Sequence, residues 1–206
     1  MITRRTAVLL GASGAALALA AVAGWVFLPR PAQKMPVGVA EPTGANLVGG
    51  PFTLVAGDGR TVTDADFRGK YLLVYFGYTF CPDVCPTTLQ SIANVLDKLG
   101  DDAKAVVPLF ISIDPERDTP AVMAKYVAAF DRRIVGLTGT PAQVATAAKA
   151  YRVYYARSGE GEDYLMDHSS MIYLMGPKGR LRAYFTPQAT PAAMAATVRK
   201  FLATSA

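Results

Sequence analysis

Residues 71–90 read YLLVYFGYTFCPDVCPTTLQ and combine an apolar run, two cysteines and the start of a helical pattern. The run at 71–76 is almost entirely apolar, which is typical of a strand buried on both faces of a sheet. Beyond the cysteines, apolar residues recur at helical spacing, and Pro86 stands where the first turn of a helix tolerates proline. The stretch therefore predicts a strand, a short loop that carries both cysteines, and a helix.

A second unit of the same kind follows, with an apolar strand predicted at 106–113 and then a helix. The Thr-Pro pair at 119–120 predicts where that helix starts, because threonine caps a free amide and proline suits the next position. The same pair opens two later helices, at Thr140 and Thr190. Shorter strands are predicted on either side of Gly57-Asp58-Gly59 and at 134–137, 153–155, 170–175 and 181–185. The pattern predicts an α/β fold with helices on both faces of the sheet.

The surplus of positive charge sits at the N-terminus. The chain has 21 Lys and Arg against 16 Asp and Glu, and four of the basic residues precede the first acidic one: Arg4, Arg5, Arg30 and Lys34. Removing these four leaves 17 basic against 16 acidic groups, so the body of the protein is nearly neutral. A nucleic-acid binder concentrates basic groups on its folded domain, so we expect no nucleic-acid partner.

The N-terminal residues predict attachment to a membrane. Residues 6–29 are uncharged and long enough to cross about 30 Å of hydrocarbon as a helix. The arginines before them predict that residues 1–5 stay in the cytoplasm and that the rest lies on the far side. A cleaved export signal is the alternative, since Ala21-Val22-Ala23 suits a cleavage site. Residues 30–49, rich in proline and glycine, predict a flexible linker before a domain at 50–206.

Cys81 and Cys85 are the only cysteines in the chain. Near a helix start, free amides and the helix dipole favour a thiolate, which is both the nucleophile and the metal ligand. The i, i+4 spacing brings both sulfurs to one side of the first turn, close enough for a disulfide or a shared metal ion. A purely structural disulfide is the alternative, but one that closes so short a loop stabilises little. We therefore expect a redox couple, a peroxide-reactive thiol with its resolving partner, or a metal clamp.

His168 is the only histidine and stands between a polar loop, 157–163, and a predicted strand. It could be an ordinary histidine at a strand edge. It also opens the next strand of the predicted sheet, from which it can reach the cysteine loop. Two thiolates and one imidazole suit copper(I), or copper(II) with an added ligand. Zinc would need a fourth ligand that the sequence does not obviously supply.

Other side chains near His168 have weaker claims to a role. Asp167 or Asp83 could orient the imidazole as an outer carboxylate, and each could equally be a loop aspartate. Met166 is a candidate thioether ligand beside the histidine, whereas Met171 and Met175 are predicted to fill the core.

Five stretches carry a family resemblance: GYTFCPDVCPTTL (77–89), SIDPERDTP (112–120), VGLTGT (135–140), YRVYY (151–155) and DYLMDHSSMIYLMGPKGR (163–180). Together they resemble the Sco/SenC family of copper-binding assembly proteins for cytochrome c oxidase. The resemblance implies a thioredoxin-like fold with an additional β-hairpin near the site, after a single membrane anchor. It also implies copper held by Cys81, Cys85 and His168.

The resemblance further implies a metallochaperone rather than an enzyme. Its partner would be cytochrome c oxidase subunit II, and it would load or reductively prepare the dinuclear copper centre of that subunit. A second periplasmic copper chaperone is a further possible partner, as the copper donor. The expected location is a bacterial inner membrane with the domain in the periplasm, or alternatively a mitochondrial inner membrane facing the intermembrane space.

The alternative functions use Cys81 and Cys85 without metal. One is a thiol-disulfide oxidoreductase, which the extra residue relative to a CxxC pair disfavours. The other is a thiol peroxidase, which is disfavoured because the sequence shows no convincing arginine beside the cysteine loop.

Overall fold

The computed structural model describes residues 48–204. Nine strands lie in this part of the chain: β1 Thr53–Ala56, β2 Thr61–Thr63, β3 Tyr71–Gly77, β4 Val106–Ser112, β5 Val135–Thr138, β6 Tyr155–Ser158, β7 Leu165–His168, β8 Ile172–Met175 and β9 Leu181–Phe185. The α-helices are α1 Val84–Leu99, α2 Pro120–Ala128, α3 Pro141–Ala150 and α4 Pro191–Ala203, and 3-10 turns occupy Asp64–Phe67 and Gly100–Ala105.

Seven of the strands form one mixed sheet in the order β2-β1-β5-β4-β3-β8-β9. The strands β3, β4 and β5 are parallel to one another, as βαβ connections require, while β1 and β8 join them antiparallel, and β2 and β9 pair antiparallel with β1 and β8. Every residue of β3 is buried, so both faces of the sheet are covered at this strand. The predicted α/β class, two βα units followed by a hairpin and a last helix, is confirmed.

The Thr-Pro signals mark the helix starts correctly. The side chains of Thr119, Thr140 and Thr190 each accept a hydrogen bond from the backbone amide three residues later. In each helix the following proline occupies the first turn, where its missing N–H leaves no hydrogen bond unmade.

Residues 155–168 depart from the sequence prediction. The apolar run at 153–155 predicts a strand, but β6 starts only at Tyr155, and part of the predicted polar loop belongs to β6. A strand that was not predicted, β7, pairs with β6 to form a separate two-stranded sheet. His168 therefore ends β7 and does not open the next strand, which begins at Ile172.

The strand β7 was not predicted because the β6–β7 pair is partly exposed to solvent. No residue of β6 or β7 is fully buried, so the pair lacks the continuous apolar run by which buried strands are recognised. Its connection contains Gly159 and Gly161 at positive φ, a conformation that glycine adopts without strain. This pair is an additional β-hairpin of the kind that the family resemblance implies.

The predicted membrane anchor at 6–29 and nearly all of the predicted linker lie outside the described residues. Within 48–204, no helix is both long and apolar enough to cross a membrane.

Candidate metal centre

The two cysteines stand between the end of the buried strand β3 and the first turn of α1. Cys85 is completely buried, whereas Cys81 is 9% exposed and borders solvent. Both are free thiols. The sulfur of Cys81 accepts a hydrogen bond from the backbone N–H of Cys85 at 3.4 Å. Asp83, in the N-cap position of α1, makes no side-chain cap bond. The Cys81 sulfur therefore satisfies an amide at the start of α1, as the i, i+4 spacing allows.

The two thiols differ in acidity because they share a proton. The pKa of Cys81 is lowered to about 5, chiefly by the hydrogen bond from Cys85 and also by the backbone amides of Asp83 and Cys85, against the opposing effect of burial. The same hydrogen bond, together with burial, raises the pKa of Cys85 above its usual value. At neutral pH the pair thus holds one proton on the inner sulfur of Cys85 and a thiolate on the less buried sulfur of Cys81.

Tyr75 and Gly77, both on β3, contact the Cys85 sulfur and determine the space in which it lies. The Tyr75 hydroxyl donates a hydrogen bond to Cys85 Sγ at 3.5 Å, and burial raises the pKa of this tyrosine, which keeps it a donor. At Gly77, an added Cβ would lie 2.7 Å from Cys85 Sγ and 2.8 Å from a ring carbon of Phe110. Only glycine leaves room for the sulfur. Sequence reasoning missed both residues, and the one available signal was a glycine directly after the apolar run.

His168 reaches the cysteines from the end of β7. Its Nε2 lies 3.7 Å from Cys85 Sγ, and its Nδ1 lies 3.1 Å from the carbonyl oxygen of Ser169. A carbonyl only accepts, so this contact assigns the ring proton to Nδ1 and turns the Nε2 lone pair toward the sulfur. The rings of Tyr75 and Tyr78 meet the imidazole edge-on, each with centroids 6.1 Å away. The ring is therefore held in place by packing as well as by one hydrogen bond.

The carboxylates predicted as orienting groups do not contact the imidazole. Among the hydrogen bonds of residues 48–204, His168 Nδ1 meets the Ser169 carbonyl and neither Asp83 nor Asp167. Asp167 alternates with the histidine along β7 and is exposed. Asp83 and Asp167 are thus surface residues, and the backbone carbonyl of Ser169 orients the imidazole instead.

The three predicted ligands lie together, but they do not form a closed site. In the described part of the chain, no group of three or more His, Cys, Asp or Glu side chains is arranged to hold a metal ion as it stands. Two sulfurs and one imidazole nitrogen are nevertheless a soft donor set of the kind that copper(I) favours. The donor chemistry therefore fits copper.

Met171 and Met175 were predicted to fill the core, and both pack in or against it. Met175 is buried, and Met171 packs against the core while partly exposed. Met166, on β7, also packs partly buried against the core. Its role as a thioether ligand stays a prediction.

The buried carboxylate of Asp118 binds the part of the cysteine loop that directly follows β3. It accepts hydrogen bonds from the hydroxyl of Thr79 at 2.5 Å, the amide of Thr79 at 3.2 Å and the hydroxyl of Ser112 at 2.6 Å. Burial raises the pKa of Asp118. Because Thr79 precedes Cys81 by two residues, this network fixes the approach of the chain to the first cysteine.

Arg117 connects the cysteine loop to the β6–β7 hairpin. Its guanidinium lies 4.5 Å from the ring centroid of Phe80 and 3.7 Å from that of Tyr164, while Nε donates to Asp114. Arg157 lies 3.7 Å from the Tyr164 centroid. The expectation that no arginine stands beside the loop is therefore wrong, because residues distant in sequence meet at this end of the sheet. The guanidinium pairs with Asp114 and stacks on the loop, so it ties the hairpin that carries His168 to the cysteines.

The chain is similar to known proteins over most of its length. The family described as SCO1/SenC matches residues 40–203. A human protein named "Protein SCO1 homolog, mitochondrial" is 45% identical over 159 residues, covering 75% of this chain and 53% of the human one. "Protein SenC" of Rhodobacter capsulatus is 45% identical over 156 residues, covering 75% of this chain and 71% of its own length. The chain thus spans about half the length of the human relative.

A solved structure matches the described fold. It is the "Structure of Bradyrhizobium japonicum ScoI with copper bound", with a TM-score of 0.70 and 46% identity. The match covers 75% of this chain and 99% of that protein. The thioredoxin-like α/β fold expected from the sequence is the fold of this relative.

Proposed function

This chain belongs to the SCO1/SenC family, and from that premise we propose that it binds one copper ion and takes part in the assembly of cytochrome c oxidase. The observation that carries the proposal is the meeting of Cys85 Sγ and His168 Nε2, 3.7 Å apart, beside the Cys81 sulfur. Copper is the cargo of this site, and the solved relative from Bradyrhizobium japonicum was determined with copper bound.

The acidity of the two thiols sets the order in which the ligands engage. Cys81, with its pKa near 5, offers the less buried sulfur as a thiolate and makes the first bond to arriving copper(I). Cys85 still carries its proton and releases it when its sulfur joins the metal. His168 Nε2 then completes a three-coordinate site. Uptake at neutral pH therefore releases about one proton per copper.

Delivery follows the same steps in reverse. Cys81 is the less buried of the two sulfurs and His168 is half-buried, so an acceptor ligand displaces the protein by exchange at these two ligands before it reaches Cys85. We assign the acceptor as the dinuclear copper centre of cytochrome c oxidase subunit II, which is the centre implied by the sequence resemblance. A second copper chaperone as donor fits the same scheme.

A second candidate function, thiol-disulfide reduction, is favoured by the unequal thiols. The Cys81 thiolate would attack a partner disulfide and release one partner sulfur, which takes up the proton from Cys85. The Cys85 thiolate would then attack Cys81, so the protein ends as a disulfide and the partner as a dithiol. In that form the sulfurs hold no copper, so reduction and delivery exclude one another on a single molecule. A thiol peroxidase ranks third, because within residues 48–204 Arg117 donates to Asp114 and to the carbonyl of Glu162, and no hydrogen bond joins it to Cys81.

We also propose that residues 6–29 anchor the chain in a bacterial inner membrane with the domain in the periplasm. The supporting observations are the uncharged run itself and the bacterial relative SenC. A mitochondrial inner membrane is the alternative, supported by the human relative.

The function is tested by transfer. Copper-loaded protein is mixed with the copper-free soluble domain of an oxidase subunit II, and formation of the dinuclear centre is followed by its absorption. We expect transfer from the wild type and none from Cys81→Ser/Cys85→Ser. Reduction of a disulfide form of the acceptor by metal-free protein, with no copper transfer from loaded protein, would support the reductase instead.

A further inference from the structure

The end of the sheet opposite the cysteines is strongly basic. We define the basic edge as Arg68, Lys70, Lys178, Arg180 and Arg182. The turn between β8 and β9 brings the last three together, and Arg68 donates a hydrogen bond to the carbonyl of Lys178. Leu72, at the start of β3, pairs with Met175, which directly precedes this turn. The cysteines follow the other end of β3, about 20 Å away along its seven residues.

The cations of the β8–β9 turn lack acidic partners. No ion pair within residues 48–204 involves Lys178, Arg180 or Arg182. The sequence offers none nearby along the chain either, because no Asp or Glu follows Asp167. A domain that is nearly neutral as a whole therefore concentrates uncompensated positive charge at one end.

All three of these cations line a cleft. A cleft of about 480 Å³ is lined by Tyr71, Lys178, Arg180, Arg182 and the turn residues Gly176 and Pro177. The Nε of Arg182 is buried and has no hydrogen-bond partner within the described chain, while its guanidinium lies 4.6 Å from the Phe201 ring centroid. An anion in the cleft would therefore meet the three charged side chains that line it, Lys178, Arg180 and Arg182.

The opposite end of the domain carries the opposite charge. Exposed carboxylates stand on the cysteine loop, just before α2 and on the β6–β7 hairpin, and of these only Glu116 forms an ion pair within residues 48–204, with Arg157: Asp83, Glu116, Glu160, Glu162, Asp163 and Asp167. An anionic surface attracts the basic edge and repels the site end, so it orients the domain as well as binding it.

The basic edge is also where the upstream chain joins the domain. Gly49 and Gly50, close to the first described residue, line a second cleft together with Arg68 and Lys178. The amide of Gly49 donates to the carbonyl of Ala150, which fastens the entering chain there. The predicted membrane segment at 6–29 thus lies upstream of this edge in the sequence.

We propose that the basic edge binds the phosphate headgroups of anionic phospholipids, so that the domain sits on the membrane with its cysteine site facing away. This docking surface is independent of the proposed copper function, since it shares no residue with Cys81, Cys85 or His168.

The test uses residues 48–206 alone, without the predicted membrane segment. This domain is a valid unit because the solved Bradyrhizobium japonicum relative consists almost entirely of the matching part. Binding is measured by co-sedimentation with vesicles of one part phosphatidylglycerol to two parts phosphatidylcholine, and with phosphatidylcholine vesicles alone. Each basic group near an anionic surface contributes about fivefold to binding, so Lys178→Gln/Arg180→Gln should bind about 25-fold more weakly.

The matched control is Lys125→Gln/Arg132→Gln, which removes the same charge from exposed positions on α2 and the turn after it. It should weaken binding less than about threefold. Alkylation of Cys81 should proceed at the same rate on vesicle-bound and free protein if the site faces away. Equal binding to neutral vesicles, equal losses in the two double variants, or slowed alkylation would overturn the proposal. Release by millimolar inorganic phosphate at constant ionic strength would also overturn it, since the cleft would then bind a free anion.

Discussion

The Nε2 of His168 lies 3.7 Å from the Sγ of Cys85, although 83 positions separate the two residues in the chain. Two different parts of the fold produce this contact. The buried strand β3 and helix α1 hold the sulfur, and the half-exposed β6–β7 hairpin holds the imidazole. The site is therefore rigid on one side and more exposed on the other, which suits a metal that must enter and leave.

Gly77→Ala should displace the buried sulfur of Cys85. The new Cβ would lie 2.7 Å from Cys85 Sγ, and the surrounding core leaves it no direction in which to relax. We expect a loss of about 1–3 kcal/mol in the free energy of unfolding and weaker copper binding, measured by denaturant titration and copper competition. Gly50→Ala is the control, because its Cβ would meet only the Ala150 Cβ at 3.4 Å. Equal copper affinity in Gly77→Ala and wild type would show that Gly77 does not determine the position of the Cys85 sulfur.

Tyr75→Phe should make Cys85 harder to deprotonate. The tyrosine hydroxyl donates to this sulfur and lowers the pKa of Cys85 against the larger effects that raise it. Losing one such bond costs about 0.5–1.5 kcal/mol, so copper(I) affinity at neutral pH should fall roughly threefold to tenfold. Competition with a copper(I) chelator measures this change, and the affinity should recover partly as the pH is raised. Tyr173→Phe, a buried tyrosine on β8, should behave as wild type. An unchanged affinity in Tyr75→Phe at every pH would contradict the role of the hydroxyl.

The metal-free protein should be alkylated at Cys81 even in mildly acidic solution. Its pKa is held at about 5, below the 9.0 of an ordinary cysteine, so the thiolate persists above about pH 5 and disappears as the pH falls through that value. The main cause is the hydrogen bond from Cys85, so Cys85→Ala should move the midpoint of the rate profile upward. His168→Ala should move it less, because the charge of His168 is the smallest of the named causes. A wild-type midpoint near that of a free thiol would refute this assignment.

Asp118→Asn should loosen the cysteine loop. The carboxylate accepts from Thr79 and Ser112, and an amide replaces one acceptor oxygen by a donor that faces those donors. We expect a loss of about 1–3 kcal/mol in the free energy of unfolding and a faster hydrogen exchange of the Thr79 amide. Asp83→Asn, an exposed residue without a side-chain cap bond, serves as the control. The network would be unimportant to the loop if the Thr79 amide kept its wild-type protection in Asp118→Asn.

Much of the fold could be predicted because its signals are local. The apolar run of β3, the helical spacing after the cysteines and the Thr-Pro caps each depend on a few consecutive residues. The β7 strand could not be predicted from such signals, because it is half exposed and pairs only with β6. The predicted opening of a central strand by His168 is wrong for the same reason.

The site was predictable in its reacting groups and not in their surroundings. Cysteine and histidine stand out because the chain has so few of them, and the family resemblance assigned them as ligands. The groups that position them are of common residue types, such as Tyr75, Gly77, Asp118 and Arg117. Their roles depend on which strands meet at one end of the sheet, and no spacing in the sequence encodes that.

The central claim is that the lone histidine completes a copper site with the two sulfurs. It is tested most directly by copper titration of the reduced protein, following bound copper and the sulfur-to-copper absorption in wild type and His168→Ala. Met171→Leu, which changes a side chain packed against the core, is the matched control for loss of a thioether. We expect one copper per wild-type chain, the same in Met171→Leu, and at least about tenfold weaker binding in His168→Ala. Copper binding in His168→Ala that is as tight as in wild type would contradict the account.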